Sequence, residues 1–191
     1  MLRHVSILLR ITAFVIAALA LHACAAYKPV DPAFHKVLGQ PYTLDSGDVL
    51  RVTVFGEADL TNTYAVDKGG YVSLPLIGSV AARGKTTKQM EGSIAAGLRN
   101  GFLRTPDVAV EIDTYRPFFI LGEVGTAGQY VYVPGMTVQN AIAIAGGFSA
   151  RAEQANSDIT RTINGEVVTG RVPLSDPILP GDTIFIRERL F

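Results

Sequence analysis

Apolar positions along the chain follow two periods, and the switches between them mark the elements. Phe118 to Leu121 is an unbroken apolar run that predicts a buried strand. In the GEVGTAG that follows, Gly122, Gly125 and Gly128 suit a loop whose backbone takes positive φ or lies close against another stretch of chain. Gln129 to Val133 alternates Tyr130 and Tyr132 with Val131 and Val133, a second strand, and Pro134-Gly135 closes it. Thr137 then caps a helix on which Val138, Ala141, Ile142 and Ala145 share one face, and Gly146-Gly147 stops it.

Upstream the period of two returns. A Gly47-Asp48 turn feeds a strand with Leu50, Val52 and Val54 on one face and Val49, Arg51, Thr53 and Phe55 on the other. Thr63 to Val66, Gly70 to Leu74 and Leu76 to Ala82 read as short strands around Asp67-Lys68-Gly69-Gly70 and Pro75. Thr86 or Thr87 caps a helix whose Met90, Ile94 and Leu98 line one face and which ends near Asn100-Gly101. Val108, Val110 and Ile112 alternate with Ala109, Glu111 and Asp113, a half-buried strand. Downstream, Ser149 to Asn156 is polar, and Ile159 to Ile163 pairs with Glu166 to Thr169 around Asn164-Gly165, the preferred two-residue hairpin turn. Gly181-Asp182 again stands directly before an apolar strand, so the Gly-Asp turn reads as a repeated structural device.

One stretch fits neither period. Ile11 to Leu21 is apolar or small except for Thr12, follows Arg3 and Arg10, and ends in Leu21-His22-Ala23-Cys24. That is the layout of a secretory signal, shorter than the roughly 20 residues of a permanent membrane helix. Leu-x-Ala-Cys resembles a bacterial lipobox, which implies acylation of Cys24; the alternative is ordinary cleavage after Ala25 or Ala26, with Cys24 discarded. Residues 24–40 carry Pro29 and Pro32 with little periodicity and read as a tether, with His35 as an exposed linker side chain.

Composition narrows the chemistry. Of 191 residues, 48% are hydrophobic and 18% charged, ordinary for a globular chain. Beyond Ala23 there are 15 Lys and Arg against 17 Asp and Glu, a net charge of −2 that gives a nucleic-acid partner no basic surface. Cys24 is the single cysteine and His35 the single histidine beyond the leader, so an internal disulfide, a cysteine-rich metal site and a histidine triad all lack parts. Gly78 and Gly84-Lys85-Thr86 look like a phosphate loop, but five residues separate the glycines where the motif has four. Asp45 and Asp48 are more cheaply explained as turn residues than as an acid–base couple. No catalytic, cofactor-binding or metal-binding residue is assigned.

TLDSGDVLRVTVFG, then DKGGYVSLPLIGSV, then a short helix, then PDVAVEI resembles in that order the export domain of bacterial polysaccharide export proteins. Gly122-Glu123-Val124, Gly128-Gln129-Tyr130, Thr137-Val138 and Ala145-Gly146-Gly147-Phe148 resemble the soluble-ligand-binding β-grasp (SLBB) module of the same proteins. The resemblance implies an α+β fold. A mixed-β export domain with one short helix would occupy 41–114 and a β-grasp module 115–191, behind a signal peptide at 1–23 and the tether at 24–40. It further implies a part in moving an exopolysaccharide or capsule chain outward, with no chemistry performed on it. The expected place is the periplasmic face of the outer membrane, held by a lipid, or alternatively the soluble periplasm. Implied partners are the polysaccharide, further copies of the chain in a ring, and an inner-membrane polysaccharide co-polymerase or tyrosine kinase. Longer members continue into a C-terminal helix that lines a pore; this sequence stops five residues past Ile186, so a separate outer-membrane pore is an expected partner. The alternative is a periplasmic glycan-binding or scaffolding module without translocation, in which Tyr130 and Tyr132 stack on sugars; the bland role of such strand aromatics is core packing.

Overall fold

In the computed structural model, which describes residue 30 and residues 32–189, a Gly-Asp turn precedes the central strand of each larger sheet. In chain order the elements are α1 (Pro32–Lys36), β1 (Val49–Val54), β2 (Asn62–Ala65), β3 (Tyr71–Leu74), β4 (Gly78–Ala81), α2 (Thr87–Arg99) and β5 (Val108–Thr114). After the link Tyr115-Arg116-Pro117 come β6 (Phe118–Gly122), β7 (Gly128–Tyr130), α3 (Val138–Ile144), β8 (Asn156–Ile163), β9 (Glu166–Pro173) and β10 (Thr183–Ile186).

In the first module β1 lies between β2 and β5, antiparallel to both, and β3 and β4 form a separate hairpin. The alternation along β1 sends Leu50, Val52 and Val54 inward, where they meet Met90, Ile94 and Leu98 of α2 in one core. Positions four apart recur on one helix face, so this stripe follows from helical geometry. Thr86 starts α2 with a capping box: its hydroxyl accepts from the Gln89 amide at 3.2 Å and its own amide donates to the Gln89 side chain at 2.9 Å. A cap of this kind stabilises by about 1 kcal/mol.

The second module is a five-stranded mixed sheet, β7-β6-β10-β8-β9, in which β10 runs parallel to β6 and antiparallel to β8. Phe118 and Ile120, Ile159, and Ile184 and Ile186 point to the side covered by Val138, Ala141 and Ile142 of α3. Thr137 and Asn140 form the cap of that helix. Gly122 has φ +88°, and a Cβ there would stand 2.1 Å from the Ile186 carbonyl oxygen, so only glycine lets β6 close on β10. Of the other two loop glycines, Gly125 lies tight against the Gly146 carbonyl, whereas a Cβ at Gly128 would meet only the Tyr130 ring in ordinary contact.

The structure departs from the sequence expectation in two places. The strand expected over Gln129 to Val133 ends at Tyr130, because β7 pairs only with Phe118 to Ile120; Val131 and Val133 lie beyond the ladder and are exposed. The described part of the expected tether is not a spacer. Phe34 in α1 is 1% exposed and belongs to the second core, with Val30 packed beside it over Gly170. Burying a phenylalanine stabilises by roughly 1.5–3 kcal/mol, enough to hold this short helix in place. The second module is thus built from two pieces of chain with the first module inserted between them. His35 is exposed as expected but has a partner, the Asp176 carboxylate at 2.6 Å. The signal stretch and Cys24 lie outside the described residues.

Candidate functional site

Both Gly-Asp turns converge on the link between the modules. In Asp45-Ser46-Gly47-Asp48, the Asp48 amide donates to the Asp45 carbonyl at 3.2 Å and the Asp45 amide donates to the Asp48 carboxylate at 2.9 Å. In Leu179-Pro180-Gly181-Asp182 the same two bonds measure 3.1 and 2.7 Å. Gly47 and Gly181 have φ of +93° and +87°, which a residue with a side chain adopts only under strain. Arg116 passes close to both: a Cβ on Gly47 would lie 3.3 Å from its Cβ, and one on Gly181 would lie 2.9 Å from its Nε.

Each turn carboxylate is buried and answered by a guanidinium. Asp48 accepts from the Tyr42 hydroxyl at 2.8 Å, from the Arg116 amide at 2.9 Å and from Arg116 Nη1 at 3.2 Å. Burial pushes the Tyr42 hydroxyl well up, so it remains a donor. Asp182 accepts from Arg161 Nε and Nη2 at 2.9 and 2.7 Å. Burial pushes the Asp182 carboxyl above its ordinary value, while the Arg161 guanidinium and the Leu179 amide pull it back toward the ionised form. Arg161 also donates to the carbonyls of Phe34 and Pro177, both at 3.2 Å, and lies 4.6 Å from the centre of the Phe34 ring.

Over the link opens a cleft of about 1130 Å³ between the modules. Its walls include Tyr42, Tyr115 and Tyr132, with Lys36, Arg83 and Asn164 around them. Tyr115 stands edge-on to both neighbours, 5.1 Å from Tyr42 and 5.5 Å from Tyr132 between ring centres. A smaller hollow of about 380 Å³ shares Pro41, Tyr42 and Tyr115 with the cleft and runs to Thr86 and Glu111. At the cleft rim Arg83 bonds Asp45 at 2.7 Å. Burial raises the Asp45 carboxyl, but the Arg83 guanidinium and the Ser46 amide outweigh it and hold the group below its ordinary value.

The structure separates the two tyrosines singled out in the sequence. Tyr132 faces the cleft, whereas Tyr130 stacks on Phe118 with ring centres 6.0 Å apart and donates its hydroxyl to the Thr126 carbonyl. Lys85 of the false phosphate loop is occupied, donating to the Ser93 hydroxyl at 2.8 Å. Sequence reasoning missed Tyr42, Tyr115 and Arg116. The available signal was an arginine beside a tyrosine at the module boundary, Tyr115-Arg116. Among the described residues no three His, Cys, Asp or Glu side chains cluster as a metal site requires, and no helix is long and apolar enough to cross a membrane.

Comparison with known proteins falls on the same division. Residues 37–113 match the family model of the polysaccharide biosynthesis/export protein, and residues 117–172 match that of the SLBB domain. The exopolysaccharide production protein ExoF of Rhizobium meliloti is 37% identical over 90 residues, 46% of this chain and 21% of that protein. The EPS I polysaccharide export outer membrane protein EpsA of Ralstonia nicotianae is 29% identical over 160 residues, 70% of this chain and 41% of that protein. The chain therefore spans less than half the length of either relative. The two family matches part at the link where the two sheets part, so the chain resembles the polysaccharide export proteins in carrying an export-type domain followed by an SLBB-type domain.

Proposed function

We propose that this protein is a component of polysaccharide export, passing an exopolysaccharide or capsule chain through the periplasm toward and across the outer membrane without altering it covalently. The observation that carries the reading is the tyrosine-walled cleft between the export and SLBB domains, whose lining carboxylates, Asp45 and Asp182, are each engaged by a guanidinium. General acid–base work needs two groups of separated proton affinity facing one bond, and carboxylates spent on turns serve it poorly. Aromatic faces and hydroxyls instead give weak, exchangeable contacts that suit a moving glycan. Similarity to an exopolysaccharide production protein and to an outer membrane export protein supports the same reading.

In this proposal Cys24 is acylated and holds the protein at the periplasmic face of the outer membrane. Copies join head to tail into a ring, which covers exposed sheet edges. An inner-membrane co-polymerase or kinase delivers the polymer, and a separate outer-membrane pore completes the path. Of the two tyrosines noted in the sequence, Tyr132 is the one placed against the glycan. Deleting the gene should trap polymer in the periplasm; polymer reaching the medium at the parental level would leave only the glycan-binding scaffold. Replacing Cys24 by Ser should remove the acyl mass and release the protein from the membrane fraction, and unchanged retention would count against the anchor.

A further inference from the structure

We infer that the cleft between the two modules takes an acidic saccharide, a segment bearing carboxylates such as those of uronic acids, and that Lys36 reads the charge. The inference rests on the export reading for the kind of polymer and adds which chemical class of polymer the site accepts. Four basic side chains line the cleft, Lys36, Arg83, Arg116 and Arg161, against two acidic ones, Asp45 and Asp182, with Asp48 buried behind Arg116. Asp48 and Asp182 are buried and neutralised in place by Arg116 and Arg161. Arg83 is spent on Asp45, and its other donors go to the Lys68 carbonyl at 3.0 Å and the Ser46 hydroxyl at 2.5 Å. That leaves Lys36, exposed at the cleft wall, with no acidic side chain among the described residues paired to it.

The charge that a ligand meets is therefore positive, although the chain beyond its leader carries a net −2. An unpaired ammonium on a flexible stem is a mobile point charge, suited to a carboxylate that arrives in varied poses along a sliding chain. Its pull reaches about 10 Å at ordinary salt, the scale of one or two sugar units. The tyrosines supply the second half of recognition, ring surface for the apolar faces of sugar rings. At about 1130 Å³ the cleft exceeds the roughly 300–1,000 Å³ of a site for one drug-sized molecule, so it holds several sugar units. Glu111 lies beyond the Tyr42 and Tyr115 wall in the smaller hollow, which confines the preference for negative charge to the Lys36 side.

The test is calorimetric titration of the full chain in detergent with a galacturonate hexamer and with the matching galactose hexamer, which lacks only the carboxylates. The acidic hexamer should bind ~10-fold more tightly, and the margin should shrink as salt is raised. Lys36→Gln, an exposed change that leaves both cores intact, should bring the two hexamers level; Tyr132→Ala should weaken both. Equal binding of the two hexamers by the parent protein, a preference that survives Lys36→Gln, no binding of either, or displacement of both only by an acidic peptide would each overturn the inference. Polymer export in the deletion strain is scored separately, so a normal export defect beside a charge-blind cleft would defeat this inference and leave the export reading standing.

Discussion

The two Gly-Asp turns share one backbone design and differ in where their guanidinium comes from. Asp182 is answered by Arg161, a residue of the second sheet, through two short bonds with almost no exposure on either side. Asp48 is answered by Arg116 of the link, through one longer side-chain bond, a backbone amide and the Tyr42 hydroxyl, and Arg116 remains 24% exposed. The turn sequence decides the bonds made within four residues. What the turn holds together depends on the cation that reaches it, so the second turn locks a module internally and ties α1 to it, while the first ties one module to the other.

That contrast predicts the order in which substitutions hurt. Arg161→Met strands a buried carboxylate and removes the contacts to Phe34, and loss of one partner of a buried pair costs about 3–5 kcal/mol. Urea unfolding should show this loss in the second module, and adding Asp182→Leu should restore part of it because no charge is left stranded. Asp48→Ala should cost less, roughly 2–3 kcal/mol, because bonds to a charged group are lost while Arg116 keeps access to water. Its distinguishing mark is faster hydrogen exchange at the Arg116 amide, which the Arg161 variant should leave unchanged. Tyr42→Phe removes one hydroxyl from the first turn and should cost about 1 kcal/mol in the same unfolding assay.

The smallest effect is one of pH, and it belongs to the first turn alone, because Asp45 stands where the second turn has Leu179. The Asp45 value is lowered in the folded protein, so its contribution is present above the ordinary carboxylate value of about 4 and is lost as pH falls through the lowered folded value. The pair is partly open to solvent, which holds the effect below about 1 kcal/mol. Unfolding measured from pH 6 down to pH 2 should show the parent losing this increment, and Arg83→Met should flatten that part of the curve.

What the sequence revealed was whatever the chain settles over short distances. The β1 alternation, the Thr86 and Thr137 caps and the Asn164-Gly165 turn, with φ of +53° and +84°, each depend on neighbours within a few residues. The Gly-Asp repeat was legible for the same reason. Phe34 was not, because its partners come from β8 and the rest of the second core, more than a hundred residues on, and one apolar side chain in proline-bearing sequence sets no period. The Tyr42, Tyr115 and Tyr132 wall was likewise hidden, since it forms only when the modules meet. Tyr132 drew attention through an alternation that outruns its strand by three residues, yet it is the one of the pair that faces the cleft.

The insertion of one module inside the other also sets an order of assembly. Every strand and helix of the first core lies between α1 and β6, so that core closes from contiguous chain and needs nothing made later. The second core must join α1 to β10, the last strand among the described residues and the middle of its sheet, and closing so long a loop is entropically slow. A folded first module shortens that search. The Arg116 side chain meets the Tyr42 hydroxyl at 2.8 Å, so the finished insert brings its two ends together and hands the remaining chain a connection no longer than a turn.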